Sequence, residues 1–456
     1  MHIDQIRRSP LVQMAALGVL TLVLQIPVLM IWELVGDRDR TRDQAVREIA
    51  SSWGNEQQVV GPYLLTPYRY ETVHKNEEGE TFIRTHTATA AFLAETLVVQ
   101  SSLSTRTLHR GIFEAPVYQG AIEMEGSFAR PDFSGFHDGF REALWDQAEL
   151  VLEISDARAL ENAVTVQWGA AAVSFSPGAG GLGPERRGIH ASVALTGEEE
   201  TIAFSTRLEM KGSASIRFAP MARDTQVRVT GDWASPSFQG AWLPTEREVR
   251  GDGFSASWSV PHLGRNYPQR WSNVPDAGVI QGSLFGVDLL SPVDAYRQTE
   301  RSLKYQILFL GLTFTTIWLF EVLAGARVHW IQYGLIGAAL CVFYLLELSL
   351  SEHLGFGLAY ALAAGAVLGL VTMYSRAVLK TTGRTAALAG VVASLYGCLY
   401  VLIRLEDYAL LTGSIGLFVV LAAIMYMTRN VNWSQPRGGV AEADTNTASG
   451  TGRDVL

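Results

Sequence analysis

The chain has 456 residues, a formal net charge of −9 and two cysteines. The negative charge argues against a nucleic-acid partner, because no basic stripe is present to neutralise phosphates. Apolar residues make up 48% of the chain and are concentrated at its two ends, whereas residues 33–303 have the composition of a water-soluble domain. The pattern therefore predicts a soluble domain held between membrane segments.

The first segment is basic and then apolar. Arg7 and Arg8 precede an apolar run over residues 10–32. This run is too long for the core of a cleavable signal peptide, and no small-x-small cleavage pattern follows it. We therefore expect a cytoplasmic N-terminus over residues 1–9 and an uncleaved transmembrane signal anchor over residues 10–32.

Residues 33–303 are predicted to form an exported, periplasmic, mainly-β domain. The charged stretch 37–52 lacks glycine and proline, and it is expected to continue the first helix or to form a short amphipathic helix. Beyond it, period-two alternation is typical of half-buried strands, as in residues 163–168, 208–211 and 226–230. The pattern favours a large antiparallel domain, built as a sandwich or as two stacked sheets.

Residues 304–428 are predicted to form a block of five transmembrane helices. Each apolar segment approaches the roughly 20 residues that a helix needs to cross ~30 Å of hydrocarbon. The segments are centred on residues 307–322, 331–346, 354–371, 386–403 and 410–427. With the signal anchor, the chain is expected to have six membrane helices, and residues 429–456 are expected to form a disordered cytoplasmic tail.

The basic residues predict the orientation of this block. Arg376, Lys380, Arg384 and Arg429 would all face the cytoplasm if Arg7 and Arg8 do, as the positive-inside rule requires, and Arg404 is the exception that would lie outside. The predicted outer loop 351–354 contains neither lysine nor arginine. Both termini are therefore expected in the cytoplasm.

No motif predicts catalysis, a metal or a cofactor. The glycine-rich run 178–184 lacks the GK[ST] sequence of a phosphate-binding loop and is expected to be flexible. Asp132, His137 and Asp138 are the closest cluster of metal-ligand residues, and we interpret it as an ordinary polar loop. No GxSxG or HExxH sequence occurs. The sequence favours a protein that is not an enzyme.

Three ionisable residues that follow the apolar segment 331–346 are candidate functional residues. Glu347 lies at or just beneath the predicted outer interface, and Glu352 and His353 follow it. An ionisable residue at membrane depth is costly and is therefore often functional. Glu347 either extends to the outer surface as a plain interface charge, or joins Glu352 and His353 in a proton-linked or ligand-binding rim.

A second candidate is a contact surface on the exported domain. Residues 235–249 combine the aromatic side chains of Phe238 and Trp242 with charges. This composition suits a binding surface for an envelope component. It equally suits a packed sheet edge at the base of the domain.

Short blocks along nearly the whole chain resemble the CreD family of bacterial inner-membrane proteins. The resembling blocks are RSPL at 8–11, VGPYL at 60–64, SDAR at 155–158, PSFQG at 236–240, LPTEREV at 243–249, PVDAY at 292–296, FYLL at 343–346, LSEHLGF at 350–356, AVLK at 377–380 and TRNVNW at 428–433. The resemblance implies a role in envelope integrity or stress, under a two-component regulon and with altered tolerance to a colicin and to β-lactams. It supplies no agreed reaction and no catalytic residues. This chain departs mainly in the tail after Ser434 and in loop lengths of the β domain.

Two functions remain open from the sequence. The first is a non-enzymatic envelope protein that sits in the lipid bilayer and binds an envelope protein or lipid through its periplasmic domain. The alternative is a transporter or lipid-handling protein that uses the five-helix block and the rim of Glu347, Glu352 and His353. A hydrolase is disfavoured because no nucleophile–base pair is visible, and a receptor because the predicted inner loops are short.

Overall fold

The computed structural model describes residues 10–75, 77, 80–273, 277–290, 295–324, 328–405 and 408–429. The chain divides into two compact units, residues 40–293 and the remainder, here called the β unit and the membrane unit. Residues 33–39 and 295–303, which the sequence pattern assigned to the exported domain, belong to the membrane unit by their contacts. Arg7, Arg8, and the predicted tail beyond Arg429 lie outside the described residues.

The helices, numbered in chain order, are α1 Pro10–Val23, α2 Gln25–Trp53, α3 Ala277–Gln281, α4 Ala295–Lys304, α5 Gln306–Ala324, α6 Trp330–Leu354, α7 Phe356–Leu379, α8 Thr382–Arg404 and α9 Ala409–Thr428. The charged stretch 37–52 lies entirely within α2, so its prediction as a continuation of the first helix is confirmed.

Five helical stretches in the described part of the chain are long and apolar enough to cross a membrane. They are Val12–Trp53, Trp330–Leu354, Phe356–Leu379, Thr382–Arg404 and Leu410–Thr428. A sixth crossing is obtained only if α4 and Gln306–Val322, which meet at a bend of 44°, are counted as one span. Exposed apolar side chains such as Leu410 and Phe418, at 87% and 71% exposure, are the surface that lipid would cover.

The prediction of a loop at residues 351–354 is wrong. These residues are helical and form the last turn of α6, which ends at Leu354. The chain reverses at Gly355, whose φ is 74°. Glycine adopts this left-handed conformation without a Cβ clash, so a single residue is enough to join α6 to α7.

The strands are β1 Gln57–Lys75, β2 Thr81–Arg110, β3 Phe113–Ala129, β4 Phe140–Ala143, β5 Glu149–Ile154, β6 Thr165–Trp168, β7 Ala171–Ser174, β8 Ser176–Pro177, β9 Gly188–Ser192, β10 Thr201–Ser213, β11 Ser215–Phe218, β12 Ala222–Gly231, β13 Pro236–Gly240, β14 Glu246–Arg250, β15 Gly253–Pro261, β16 Arg270–Trp271 and β17 Phe285–Leu289. Short 3-10 turns occur at Trp145–Gln147, Ala157–Ala159, Gly180–Leu182 and His262–Gly264.

These strands form two sections that share the long strand β2. One section has the order β7-β6-β10-β3-β2-β12-β15-β14. In the other, β1 pairs with β4 and β5 on one side and with β2 and β11 on the other. On one side β11 pairs with β17, and β17 pairs with β13. On the other side β5 pairs with β9, and β9 pairs with β8. The short strand β16 pairs with β2.

The prediction of a large, mainly antiparallel β domain is confirmed. Two of the described pairings, β1 with β11 and β12 with β2, are parallel, so the sheet is mixed. The sandwich arrangement stays a prediction.

The core of the β unit comes from both faces of β1, which is buried over residues 59–66, and from alternating positions of strands such as β10 and β12. Tyr63, Leu64, Phe128 and Phe285 are at most 1% exposed. Burying each such side chain contributes on the order of 1.5–3 kcal/mol. The buried hydroxyl of Tyr118 donates to the Ser215 carbonyl oxygen at 2.9 Å, which removes the cost of burying it unpaired.

Candidate functional site

Helix α4 in the membrane unit buries a face that is largely hydroxylic. Its buried residues are Tyr296, Thr299, Ser302 and Leu303. Their spacing of three to four residues places them on one side of the helix. Arg297 and Lys304 on the same helix are exposed. The packed side of α4 therefore presents hydrogen-bonding groups to its neighbours.

The carboxyl group of Glu347, on α6, meets this face. Ser302 Oγ donates to Glu347 Oε2 at 2.9 Å. The residue is 0% exposed, and its other carboxyl oxygen, Oε1, has no hydrogen-bond partner in the part of the chain that is described. The structure therefore places Glu347 inside the packed helices, and its carboxyl group does not extend to an exposed surface.

Glu352 is held by the same helix, one turn and a half further along α6. The Tyr296 hydroxyl donates to Glu352 Oε1 at 2.9 Å, and Arg38 Nε lies 3.7 Å from that oxygen. Because Ser302 contacts Glu347 and Tyr296 contacts Glu352, α4 and α6 run antiparallel. We call Tyr296, Thr299, Ser302, Glu347 and Glu352 the carboxyl–hydroxyl cluster.

His353 is placed apart from the cluster. Its side chain is exposed at the end of α6, and no contact among the described residues joins it to either carboxylate. The structure thus brings together two of the three predicted rim residues. The hydroxyl partners on α4 were missed from the sequence, although the three-residue spacing of Tyr296, Thr299 and Ser302 was a readable signal.

Aromatic side chains lie next to the cluster on α6, α7 and α8. The ring of Phe343 lies 5.3 Å from that of Tyr360 and 4.7 Å from that of Tyr396. The Tyr360 hydroxyl donates to the Tyr396 carbonyl oxygen at 2.6 Å, so it is already paired. Tyr360 and Tyr396 both lie within electrostatic reach of Glu347. These rings surround the carboxyl with apolar surface, where an unpaired charge is costly.

Phe238 and Trp242, the predicted contact surface, lie in the β unit and are half-buried. The Phe238 ring packs 5.9 Å from Trp258 and 6.0 Å from Phe254. The Trp242 ring lies 5.8 Å from Phe285. Both rings thus add to the core of the β unit, as the packed-edge interpretation expects. Their role in binding stays a prediction.

A polar groove of about 650 Å³ lies beside the Phe238 strand, on the opposite face of β13. Gln58, Arg217 and Gln239 line it, and the strand register places them with Gly286 in one row across β1, β11, β17 and β13. Arg217 Nη2 pairs with Asp288 Oδ1 at 3.0 Å. The row offers amide and guanidinium donors, together with carboxylate and amide acceptors.

The loop with Asp132, His137 and Asp138 has ordinary structural contacts. His137 Nδ1 lies 2.8 Å from the Tyr68 hydroxyl, and its ring stacks on Tyr70 at 3.9 Å. Hydrogen bonds from Ser134 to Asp132 lower the pKa of that carboxyl, and Arg270 lowers it further. In the part of the chain that is described, no group of three His, Cys, Asp or Glu side chains could hold a metal.

Comparison with known proteins places the chain in a family. The family model described as "Inner membrane protein CreD" matches residues 9–434. The inner membrane protein CreD of Escherichia coli (strain K12) is 30% identical over 430 residues, which cover 93% of this chain and 94% of the relative. A solved M1 zinc metallopeptidase from Deinococcus radiodurans covers 76% of this chain and aligns over 95% of its own. It shares only 13% identity and a TM-score of 0.21, which is too low to indicate a common fold. The chain belongs to the CreD family of inner membrane proteins.

Proposed function

We propose that this inner-membrane protein supports the integrity of the cell envelope by binding an envelope protein or lipid through an exported β unit, without catalysis. Family membership supports the inner-membrane location. The proposal counts α4 and α5 as one bent span, which gives six crossings. An even number of crossings keeps both termini on the side where Arg376, Lys380 and Arg384 lie, which is the cytoplasm.

The observation that carries this proposal is the polar groove. Gln58, Gln239 and Gln281 leave their amide groups at its surface, next to the Arg217–Asp288 pair. Amides can donate and accept at once, so a row of them matches a ligand that also carries both kinds of group. Gly240 and Gly282 line the same groove, and at Gly240 the Leu284 carbonyl oxygen and Phe285 Cα occupy the space that a Cβ would need.

In-cell photo-crosslinking tests the groove. A photoreactive side chain at Gln239 should capture an envelope component, because this residue is exposed and lines the groove. The matched control is the neighbouring position Phe238, whose side chain points to the opposite face of β13 and packs against the core. Glu248, on the exposed strand β14, controls for nonspecific capture. Equal capture from all three positions, or none from Gln239, would contradict the proposal.

A second function, transport or lipid handling by the helix block, is favoured by one observation. Glu347 is a fully buried carboxyl group with an unpartnered oxygen on a candidate membrane span. If the helix block carries the function, Glu347→Gln should abolish complementation of a deletion strain at an unchanged protein level. Glu300→Gln, on the charged side of α4, is the control and should complement. Full complementation by Glu347→Gln removes this second function.

A further inference from the structure

Two buried polar atoms on facing helices lack partners. Glu347 Oε1 on α6 and Thr299 Oγ1 on α4 each have no hydrogen-bond partner among the described residues, and both residues are 0% exposed. Ser302, one turn along α4 from Thr299, occupies the other oxygen of Glu347. Buried polar groups in folded proteins are nearly always paired, so these atoms need an explanation.

The surroundings of Glu347 offer an ionised carboxylate little support. No ion pair joins it to a cationic side chain among the described residues. The cationic residue next to Ser302 on α4 is Arg301. Its Nη2 lies 3.4 Å from the carbonyl oxygens of Leu402 and Leu405.

The remaining groups that face the carboxyl are neutral or are paired elsewhere. They are Tyr344 on its own helix, Tyr360 on α7, Tyr396 on α8, and the Glu352–Arg38 pair at the end of α6. Helix α5 contributes the neutral amide of Gln306, whose Nε2 donates to Gln25 and whose Oε1 has no partner among the described residues. A carboxylate in this place would have one hydrogen bond and no counter-charge, whereas the neutral acid needs no counter-charge.

We propose that Glu347 is a proton-binding site that controls the docking of α4 on α6. With a proton on Oε1, the carboxyl is neutral and α4 stays docked through Ser302. When the O–H bond at Oε1 breaks, the proton passes to water and the carboxylate requires hydration. Hydration of the site requires α4 to leave α6, and the 44° bend between α4 and α5 lets α4 move without unwinding α5.

The proton fits this site better than a metal cation does. Hard cations such as Mg²⁺ and Ca²⁺ take six or more oxygen ligands. Among the described residues, α4, α6 and the start of α5 leave four buried side-chain oxygens unpartnered, fewer than such a cation takes: Glu347 Oε1, Thr299 Oγ1, Gln298 Oε1 and Gln306 Oε1. A proton needs one oxygen to bind and one to accept its hydrogen bond. The inference does not depend on any binding by the β unit.

Infrared spectroscopy of the full chain in lipid nanodiscs tests the protonation directly. The wild type at neutral pH should show the carbonyl stretch of a protonated carboxylic acid, and Glu347→Gln should lack it. Glu300→Gln should retain the band, because that carboxyl pairs with Lys304 at a solvent-accessible position. A wild type without the band, or a band that persists in Glu347→Gln, overturns the proposal.

Hydrogen exchange of the α4 amides tests the coupling. After correction for intrinsic exchange, opening of α4 should increase as the pH rises, by up to about tenfold per pH unit for one linked proton. In Glu347→Gln, opening should not depend on pH. A flat profile in the wild type, or an unchanged slope in Glu347→Gln, overturns the coupling.

Ser302→Ala is a second variant, which tests the proposal if Glu347→Gln does not fold. It leaves the carboxyl group of Glu347 in place. It removes the one hydrogen bond that would support the ionised form in the docked state. Opening of α4 should therefore continue to rise with pH and should level off at a higher pH than in the wild type. A profile that levels off at the same pH as in the wild type would count against the proposal.

Discussion

At the scale of single residues, two buried carboxyl groups differ in how they are compensated. Asp156 in the β unit accepts hydrogen bonds from Asn55 Nδ2 at 2.8 Å and from Arg158 Nε at 2.8 Å. These bonds lower the pKa of Asp156 to about 2. Among the described residues Glu347 has a single donor, the Ser302 hydroxyl. Asp156 thus has a charged donor and a second hydrogen bond to support its carboxylate, whereas fully buried Glu347 has one neutral donor.

Asp156→Asn should destabilise the β unit in a pH-dependent way. The lowered pKa means that the ionised form stabilises the fold fully above the ordinary pKa of aspartate, and that this contribution is lost as pH falls towards 2. Near neutral pH we expect a loss of about 1–2 kcal/mol, discounted because Arg158 is largely exposed. Urea unfolding of wild type and variant across this pH range is the measurement.

Asp138→Asn, at an exposed position, is the control and should change stability little at any pH. A difference between Asp156→Asn and wild type that stays constant down to a pH of about 2 would show that the charge of Asp156 is not what stabilises the fold.

At the scale of whole elements, polar side chains join helices that otherwise have apolar surfaces. Gln25, at the start of α2, interrupts the first apolar run, and Gln306 begins α5. Gln306 Nε2 donates to Gln25 Oε1, and Gln306 is only 6% exposed. This contact explains why a glutamine is tolerated within the first apolar run, where an unpaired amide would be costly.

The Gln25–Gln306 contact should show a measurable coupling. In a double-mutant cycle with Gln25→Leu and Gln306→Leu, we expect a coupling free energy of about 1 kcal/mol, the range found for hydrogen bonds between membrane helices. Reversible unfolding in mixed micelles is the measurement. Gln13→Leu, in α1, provides a control that should couple to Gln306→Leu by much less. Strictly additive effects of the Gln25 and Gln306 changes would contradict the contact.

At the scale of the whole molecule, the distribution of basic residues predicts the orientation across the membrane. The proposed topology puts the β unit and the α6–α7 turn outside, and the α7–α8 turn inside, because the basic residues Arg376, Lys380 and Arg384 flank the latter. Single cysteines test this in a variant without Cys341 and Cys398. Cysteines at Gly251 and His353, both exposed, should react in intact cells with an impermeant maleimide.

A cysteine at Lys380, which is also exposed, should react only after the membrane is opened. This position is the matched control, since it differs from His353 mainly in the predicted side of the membrane. Labelling of Lys380→Cys in intact cells, or protection of Gly251→Cys there, would reverse the proposed orientation.

Local sequence alone was enough to predict the kinds of element. Run length identified the apolar helices, because crossing hydrocarbon needs about 20 apolar residues whatever their neighbours are. Period-two alternation identified β10 and β12, because one face of each strand is buried. It also identified β11, which is buried at three of its four positions. These signals lie within one segment and do not depend on distant contacts. The local signals missed the last turn of α6, because the polar residues 351–353 resemble a loop. The structure shows that the helix continues through them to Leu354.

The tertiary structure decided which segments meet. The parallel pairing of β12 with the second half of β2 joins residues far apart in sequence, and no local pattern encodes that register. In the same way, Glu347 was visible as an ionisable residue on an apolar helix. Whether it reaches an exposed surface or becomes buried depends on α4, which packs the hydroxyls of Thr299 and Ser302 on its side of the contact. The sequence by itself therefore determined the helices, the strands and the ionisable candidates, while packing between distant segments decided that one carboxyl group would be left half-satisfied.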